Sequence, residues 1–137
     1  MTSHRPLPVP DETSAPYWAA AAQHVLTVAR CARCAVLTTP PDVVCTACGS
    51  TDPCYEFTAV SGRGVVRSWT VVRQAFLPGF DVPFVLVDVE LAEQSGLRLV
   101  GRLLDGVDAD LHLGAPVRVA FEDLSDEIAV PAFELAR

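Results

Sequence analysis

Four cysteines form two closely spaced pairs, Cys31-x-x-Cys34 and Cys45-x-x-Cys48. A Cys-x-x-Cys turn directs both sulfurs toward one point, and two such turns supply the tetrahedral set of thiolates that zinc prefers. Cys54 lies outside both pairs, and an odd number of cysteines is poor material for disulfides. The spacing predicts one metal ion per chain, bound by the four paired cysteines.

Zinc is the predicted ion, and its predicted role is structural. Iron in a rubredoxin-like site uses the same four ligands, so spacing alone leaves iron as the less favoured alternative. Four protein ligands leave no coordination position for water or substrate. Gly49 suits the positive φ that such turns often need, whereas Ala35 stands at the equivalent place after the first pair. The metal is expected to replace the hydrophobic core that so short a segment cannot build.

Other residues that could carry catalysis are few. Asp88 and Glu90 lie two apart on a predicted strand and share a face, which suits paired carboxylates or simply a solvated outer face. Cys54 has no basic neighbour in sequence to lower its pKa, so we interpret it as a buried spare thiol. The three histidines are dispersed along the chain. We predict no catalytic residue and no activity for the chain alone.

An apolar loop between two predicted strands is the most informative of the remaining segments. Residues 73–84 carry three phenylalanines, a composition that solvent-exposed loops seldom have. Part of the loop can fold back on the core, and the remainder is predicted to form an apolar patch at a protein or ligand interface. Arg63 and Arg73 are the nearby cations that could contact a phosphate group.

The cysteine pairs belong to an N-terminal region with its own organisation. Residues 1–16 contain four prolines among polar residues and are predicted to form a flexible arm. Ser14 and Pro16 predict the start of a helix near 15–24, which the alanine run continues. A brief strand then leads into the first cysteine pair, so residues 17–54 are predicted to be helix and zinc ribbon.

The rest of the chain has the pattern of a small antiparallel barrel. Turn sequences separate five predicted strands, and no long helix interrupts them, which disfavours parallel topology. The predicted strands are 55–59, 65–73, 84–91, 97–104 and 116–122. Gly101 lies inside one of them and suggests a bulge or a barrel corner. We predict a mostly β protein with a short N-terminal helix, a rubredoxin-like zinc ribbon and a five-stranded OB-fold barrel over 55–137, which ends in a C-terminal tail.

The composition and net charge of the chain disfavour some classes of binding partner. The chain has 137 residues, 50% of them hydrophobic and 20% charged, which suits a folded protein of this size. Its formal net charge of -7 disfavours non-specific binding to nucleic acid or anionic lipid. The sequence contains neither a signal-peptide pattern nor an apolar run long enough to span a membrane. We expect a cytoplasmic protein that binds neither nucleic acid nor membrane.

The chain resembles a known family in three segments that occur in a fixed order. The cysteine pairs are followed by residues 61–70, Ser-Gly-Arg-Gly-Val-Val-Arg-Ser-Trp-Thr, and later by residues 114–122, Gly-Ala-Pro-Val-Arg-Val-Ala-Phe-Glu. This combination is similar to the zinc-ribbon plus OB-fold family known as domain-of-unknown-function family 35. The resemblance runs from about Tyr17 to Phe133, and it leaves out the proline-rich arm.

The resemblance implies a function in acyl-CoA metabolism. Members accompany thiolase-like enzymes, including acetoacetyl-CoA thiolase with hydroxymethylglutaryl-CoA synthase, and lipid-transfer-protein-like aldolases of steroid side-chain breakdown, where they bridge subunits and help enclose the CoA-linked substrate. Some relatives are fused to a hydratase domain, which this chain is expected to lack. The ligand positions of the family fall on Cys31, Cys34, Cys45 and Cys48.

By this resemblance we expect an accessory subunit that binds a thiolase-fold enzyme and helps form its acyl-CoA site. The expected partner-binding residues are Trp69, Phe76, Phe80 and Phe84, and the expected CoA-binding residues are Arg63 and Arg73. Two alternatives stay open: a single-stranded nucleic-acid-binding module, which needs a basic groove with exposed aromatics, and a self-sufficient small acyl-CoA enzyme that uses Asp88 and Glu90 or Cys54.

Overall fold

A computed structural model of the protein describes residues 5–136 and contains, within them, one short helix followed by eight strands. The helix α1 spans Ala15–Ala22. The strands are β1 (Thr27–Arg30), β2 (Leu37–Thr38), β3 (Glu56–Ala59), β4 (Arg63–Val72), β5 (Phe84–Leu91), β6 (Arg98–Arg102), β7 (Pro116–Asp123) and β8 (Ala129–Leu135). The predicted class, mostly β with a short N-terminal helix, is confirmed.

The helix begins as predicted with a proline in its first turn, but Ser14 does not cap it. The Ser14 hydroxyl accepts a hydrogen bond from the N–H of Asp11 at 3.1 Å, and the Ser14 N–H donates to Asp11 Oδ1 at 2.7 Å. These bonds form a tight turn before the helix, so the hydroxyl faces back along the chain. The same Ser14 N–H holds the pKa of Asp11 below its ordinary value.

A small antiparallel sheet, in the order β2-β1-β3, supports the cysteine pairs. In its central strand β1, three of the four residues are buried, and Ala29 pairs with Thr38 on one side and Phe57 on the other. The strand predicted over 55–59 therefore forms as β3, but its assignment to the barrel is wrong. Because β1 is nearly fully buried, it needs a hydrogen-bonded partner on both sides, and β3 supplies the second.

The second sheet has five strands in the order β6-β5-β4-β7-β8. A parallel bridge between Leu103 and Phe133 brings its two ends together, so the sheet is nearly closed into a barrel. The sheet is otherwise antiparallel, as expected for an OB fold. The predicted five-stranded barrel is confirmed, although one of its strands differs from the prediction.

The strand that sequence reasoning missed is β8, in the segment predicted to be a C-terminal tail. Pro131 lies in its middle, and a proline inside an apolar run argues against a central strand. Here the proline is tolerated because β8 pairs along its length only with β7 and forms on its other side a single bridge, to Leu103, the residue after β6. β8 also supplies Phe133, a fully buried side chain of the core.

The barrel core follows from the alternation of side chains along the strands. In β5, Val85, Val87, Val89 and Leu91 are buried, and the residues between them are half-buried. They pack with buried residues of other strands and loops into one cluster, which also includes Leu26, Val28, Val66, Leu97, Leu103, Ala115, Val117 and Phe133. Because Leu26 and Val28 of the ribbon region belong to this cluster, ribbon and barrel share one apolar core.

One amide side chain links the ribbon to the barrel by forming two hydrogen bonds to the backbone of an edge strand. Gln94, in the turn after β5, accepts a hydrogen bond from the N–H of Leu37 at 2.9 Å and donates one to the Leu37 carbonyl at 2.7 Å. The amide thus satisfies both backbone groups of a residue in β2, the short edge strand of the ribbon. This pair of bonds fixes the ribbon against the barrel, and the sequence pattern, which indicates only a turn there, does not reveal it.

Gly101 in β6 serves close packing and makes no bulge. The pairing of β5 with β6 runs through it without a register shift, and the shift in this sheet lies between Val66 and Ser68. A Cβ at Gly101 would lie 2.9 Å from Cδ2 of Phe133. The bulge suggested for Gly101 is therefore wrong, and the glycine instead gives Phe133 room to close the barrel.

Replacement of Gly101 by alanine is expected to lower the free energy of unfolding by about 1–3 kcal/mol, because the added methyl overpacks the ring of Phe133. Urea unfolding followed by circular dichroism measures the change. Val100→Ala is the matched control on the same strand, with an exposed side chain, and it should cost less than about 0.5 kcal/mol. Equal stability of Gly101→Ala and the wild type would contradict the packing argument.

Candidate metal centre and partner surface

The four paired cysteines converge at one end of the ribbon. All four Sγ atoms lie within 4.8 Å of one another. The Sγ atoms of Cys31 and Cys48 are 3.9 Å apart, and those of Cys34 and Cys45 are 3.7 Å apart. Zn–S bonds of about 2.3 Å in a tetrahedron separate the sulfurs by about 3.8 Å. The spacing of the sulfurs suits a four-coordinate metal ion.

Two turns of the same geometry present these sulfurs. In each turn, the carbonyl of the first cysteine accepts a hydrogen bond from the N–H of the residue four positions later. The N–H of the same cysteine donates a hydrogen bond to the carbonyl of the residue five positions later. The bonds are Ala35 N–H to Cys31 at 2.8 Å, Cys31 N–H to Val36 at 3.0 Å, Gly49 N–H to Cys45 at 2.8 Å and Cys45 N–H to Ser50 at 3.0 Å. Gly49 has φ 76° and Ala35 has φ 67°. Ala35 therefore adopts the left-handed conformation that Gly49 adopts in the second turn, despite a steric cost of about 1–2 kcal/mol.

Backbone N–H groups directed at the sulfurs favour the thiolate that a metal requires. The N–H groups of Cys48 and Ala47 lower the pKa of Cys45 to about 7. The N–H of Val36 acts in the same direction on Cys34, but desolvation and the neighbouring cysteines outweigh it and raise the pKa of Cys34 to about 12. Four crowded sulfurs cannot all ionise without a cation between them, and a divalent ion supplies that charge.

Cys54 lies near this cluster but outside it, and it is exposed. The prediction that Cys54 is buried is therefore wrong. Its thiol donates a hydrogen bond to Asp52 Oδ1 at 3.2 Å, and Nη2 of Arg33 lies 3.6 Å from its sulfur. The hydrogen bond to the Asp52 carboxylate and its charge raise the pKa of Cys54, outweighing Arg33. A thiol held protonated in this way is a poor nucleophile.

Asp88 and Glu90 share the outer face of β5, and each is ion-paired. Nε of Arg98 donates to Asp88 at 3.0 Å, and Nη2 of Arg67 donates to Glu90 at 2.6 Å. The Arg98 guanidinium holds the pKa of Asp88 below its ordinary value, and the Arg67 guanidinium does the same for Glu90. General acid catalysis near neutral pH needs a raised carboxyl pKa. The geometry favours the outer-face interpretation of this pair.

The histidines do not form a common site within the described residues. His24 contacts Asp123 at 2.7 Å and stacks on Phe121, so it joins the end of α1 to the barrel. His112 lies in the loop before β7. His4 lies outside the described residues. Among the described residues, no helix is long and apolar enough to cross a membrane.

The loop of residues 73–84, here called the aromatic loop, divides its phenylalanines between solvent and the barrel. Phe76 is 78% exposed and Leu77 is 53% exposed at its tip. Phe80 and Phe84 are half-buried and stack on each other with ring centroids 5.7 Å apart. The aromatic loop therefore folds back in part, and its tip remains an apolar patch.

The other residues predicted to bind a partner or CoA lie on or next to β4. Trp69 is 40% exposed in that strand. Arg63 begins β4 and Arg73 directly follows it, so the two exposed arginines are separated by roughly 30 Å of extended chain. The structure therefore does not bring them together, and of the two only Arg73 belongs to the aromatic loop. Sequence reasoning missed one contact of this loop: the guanidinium carbon of Arg5 lies 5.4 Å from the centroid of the Phe80 ring, and no motif links residues so distant in the chain.

Two domain profiles match the chain. The profile described as "ChsH2, rubredoxin-like zinc ribbon domain" matches residues 18–53, and "ChsH2, C-terminal OB-fold domain" matches residues 57–122.

Two solved structures have a similar fold. A chain of the "Ltp2-ChsH2(DUF35) aldolase" is 33% identical, with a TM-score of 0.80, and the match covers 93% of this chain and 98% of that one. A DUF35 family protein of unknown function from Sulfolobus solfataricus is 12% identical with a TM-score of 0.59, and the match covers 91% of this chain and 86% of that one. The second similarity supports the fold alone.

Two curated relatives are named as hydratase subunits. The chain is 34% identical over 132 residues to the "probable enoyl-CoA hydratase alpha subunit" of Thermomonospora curvata, which covers 96% of this chain. It is 39% identical over 71 residues to the "3-oxo-4,17-pregnadiene-20-carboxyl-CoA hydratase alpha subunit" of Mycobacterium tuberculosis, which covers 52% of this chain. The chain spans only 40% and 22% of the lengths of these two relatives.

Replacement of one clustered cysteine tests the metal centre. Cys45→Ser is expected to lose most of the bound metal and to unfold the ribbon, because three thiolates no longer complete the tetrahedral set. Elemental analysis of freshly purified protein and thermal unfolding measure both effects. Cys54→Ser is the matched control and should keep one metal per chain. Unchanged metal content and melting temperature in Cys45→Ser would show that the cluster is not the metal site.

The reactivity of Cys54 tests the electrostatics beside the cluster. Asp52→Asn removes the carboxylate that raises the pKa of Cys54 and leaves Arg33 in place, so more thiolate forms at a given pH. The rate of Cys54 alkylation by iodoacetamide at pH 8 is therefore expected to increase. Mass spectrometry of the metal-loaded protein follows the modification at this site, and Asp42→Asn serves as control. A rate that is unchanged or lower in Asp52→Asn would contradict the assigned cause.

Proposed function

The chain belongs to the ChsH2 family of zinc-ribbon and OB-fold proteins, also named DUF35, and we propose that it is a non-catalytic accessory subunit of a thiolase-like acyl-CoA enzyme. The observation that carries the proposal is its similarity, over nearly the whole of both chains, to a chain of the Ltp2-ChsH2 aldolase. In the proposal, this chain binds the enzyme subunit and contributes to the wall of its acyl-CoA site.

The chemistry of the described residues supports a role without catalysis. A four-thiolate cluster leaves a bound metal no open position. Asp88 and Glu90 are held as ion-paired carboxylates, and the thiol of Cys54 is held protonated. The aromatic loop instead exposes apolar side chains at Phe76 and Leu77, which suits an interface better than it suits a reaction. We propose this loop, together with Trp69, as the surface that meets the enzyme.

Hydratase names among the relatives are compatible with the same role. The chain spans less than half of each of the two hydratase alpha subunits, whereas it covers 98% of the chain from the aldolase. The match to the Thermomonospora curvata relative covers 96% of this chain and so includes the ribbon and the barrel, whereas the match to the Mycobacterium tuberculosis relative covers 52% of it. We propose that this unit serves an acyl-CoA enzyme in each case and that steroid or other lipid breakdown is the setting, as the name of the Mycobacterium tuberculosis relative indicates.

We propose that Arg73, in preference to Arg63, contacts CoA. Within the described residues, Arg30, Arg63 and Arg73 are the arginines without an ion pair to a carboxylate, so their charges are available to a phosphate group. Arg63 and Arg73 lie at opposite ends of β4, too far apart to contact one diphosphate. Because Arg73 is the first residue of the aromatic loop, it fits a CoA group at the proposed interface.

The metal and the location complete the proposal. Zinc is proposed as the structural ion, one per chain, because the sulfur cluster and the zinc-ribbon profile agree with it. We also propose a division into an arm over 1–16, a helix and ribbon that begin at residue 17 and include β3, and a barrel that begins with β4 and continues to residue 137. A cytoplasmic location suits free thiol ligands and CoA-linked substrates.

Removal of the exposed ring at the loop tip tests the interface. Phe76→Ala is expected to weaken binding to the thiolase-like enzyme encoded nearest to this chain's gene by roughly tenfold or more, because burial of one phenylalanine contributes about 1.5–3 kcal/mol. Affinity is measured by isothermal titration calorimetry after co-purification establishes the complex. The melting temperature of the isolated chain should not change, because Phe76 is exposed.

Val43→Ala is the matched control, since Val43 is an equally exposed apolar residue in the loop between the cysteine pairs. It should bind the enzyme as the wild type does. Phe80 is less suitable for this purpose, because its half-buried ring stacks on Phe84 and its removal perturbs the barrel. Full affinity in Phe76→Ala would exclude the loop tip from the interface.

A further inference from the structure

Arg5, in the proline-rich arm, lies against the aromatic loop. Its guanidinium carbon is 5.4 Å from the centroid of the Phe80 ring, and its Nη1 lies 3.5 Å from Glu122 Oε2. The side chains of Arg5 and Glu122 are only 14% and 15% exposed. We propose that the arm and the aromatic loop form one partner-binding surface in which Arg5 is the positioning residue.

Arg5 shares its carboxylate partner, Glu122, with a second arginine. Glu122 in β7 also binds Nη2 of Arg102 in β6, so one half-buried carboxylate connects the arm with two barrel strands. Burial acts to raise the pKa of Glu122, but Arg102 and Arg5 outweigh it and hold the pKa below its ordinary value. Glu122 is therefore ionised at neutral pH and holds both guanidinium groups in place.

Arg5 determines which part of the loop faces solvent. The Phe80 ring is covered by the guanidinium of Arg5 and stacks on Phe84, the first residue of β5. Because residues 73–83 contain no strand, these contacts replace backbone pairing in ordering this part of the loop. With Phe80 held on the barrel, Phe76 and Leu77 form the exposed tip. Loss of the cation would release Phe80 and change the shape of the tip.

The arm also extends the apolar surface of the loop. Leu7 and Val9 are exposed, and they alternate with prolines that keep the backbone extended. A groove of about 380 Å³ between arm and barrel is lined by Pro6, Leu7 and Pro8 on one side and by Phe80, Phe84, Leu86, Leu124, Val130 and Pro131 on the other, and the charged groups of Arg5, Arg102 and Glu122 also line it. The apolar surface is thus continuous from the arm to the loop.

The occupant proposed for this surface is the thiolase-like enzyme subunit, so the inference rests on the proposed function for the identity of its partner. The arm lies beside the loop assigned to that interface, and residues of both line one groove. A subunit that covers the aromatic loop at Phe80 would also meet the arm at Leu7, because both residues line the same groove. The positioning role of Arg5 is a property of the isolated chain, and it is measured without the enzyme.

Chymotrypsin, which cleaves after phenylalanine, tests the positioning role in the full-length isolated chain. In the wild type, initial cleavage after the half-buried Phe80 should be slow relative to cleavage after the exposed Phe76, which is the internal reference. Arg5→Ala is expected to raise the ratio of cleavage after Phe80 to cleavage after Phe76, and Arg5→Lys should restore part of the protection by keeping the charge. Arg118→Ala, which removes an ion pair elsewhere on the barrel, is the control.

Binding to the thiolase-like enzyme tests the composite surface. Arg5→Ala should weaken binding roughly 3- to 30-fold, the range expected for loss of a partly desolvated cation–π contact. Its effect should be smaller in the background of Phe76→Ala, because both changes act on the same loop. Melting temperatures and metal content check that every variant is folded.

Three results would overturn the inference. An unchanged cleavage ratio in Arg5→Ala would show that Arg5 does not position the loop, whether or not the enzyme binds. A raised ratio with wild-type affinity would exclude the arm from the partner surface. Full additivity of Arg5→Ala and Phe76→Ala in binding would separate the arm from the loop. Failure of the wild-type chain to bind the enzyme would refute the proposed function, and the cleavage ratio would still decide the role of Arg5.

Discussion

Convergence of four sulfurs to within 4.8 Å is the constraint on which the N-terminal half of the protein depends. The segment between β1 and β3 buries only a few side chains, so thiolate ligation replaces a core there. The two cysteine turns connect the strands of the ribbon sheet, and Gln94 joins its edge strand to the barrel. The orientation of the ribbon on the barrel therefore depends on the sulfur cluster and on one amide side chain.

Several charged side chains on the barrel form ion pairs with one another. Carboxylates that could have served in catalysis, Asp88 and Glu90, each bind an arginine and have lowered pKa values. The same holds for Glu122, which two arginines share. The aromatic loop offers for recognition an exposed apolar tip at Phe76 and the charge of Arg73, which forms no ion pair to a carboxylate among the described residues. This distribution favours a protein that acts by binding and shaping another subunit.

Sequence reasoning predicted the features that depend on local spacing. The cysteine pairs indicated the sulfur cluster, and the alternation in residues 84–91 indicated a strand with one buried face. It failed where long-range packing overrides local signals. The barrel strand β8 was not predicted because Pro131 lies in its middle. The strand forms nevertheless, because a proline is tolerated where one side of a strand is almost unpaired. β3 belongs to the ribbon because the buried strand β1 needs two neighbours, a requirement that becomes apparent only from the pairing.

Contacts between distant residues were equally invisible in the sequence. The bonds of Gln94 to Leu37 and of Arg5 to Glu122 join positions 57 and 117 residues apart, and neither belongs to a motif. Arg5, which Glu122 binds, lies over the half-buried ring of Phe80, whereas Phe76 is exposed. Such side-chain anchors determine which apolar residues of a loop are left for a partner, so the exact surface could not be predicted from composition.

Steady-state turnover of an acyl-CoA substrate is the most direct test of the central claim that this chain is a non-catalytic partner of an acyl-CoA enzyme. The measurement compares the chain alone, the thiolase-like enzyme encoded nearest to its gene alone, and the two mixed in equal amounts. The account predicts no turnover by the chain, weak turnover or a high KM for the enzyme, and full activity for the mixture. Turnover by the chain alone, or an enzyme whose kcat and KM do not respond to the chain, would contradict it.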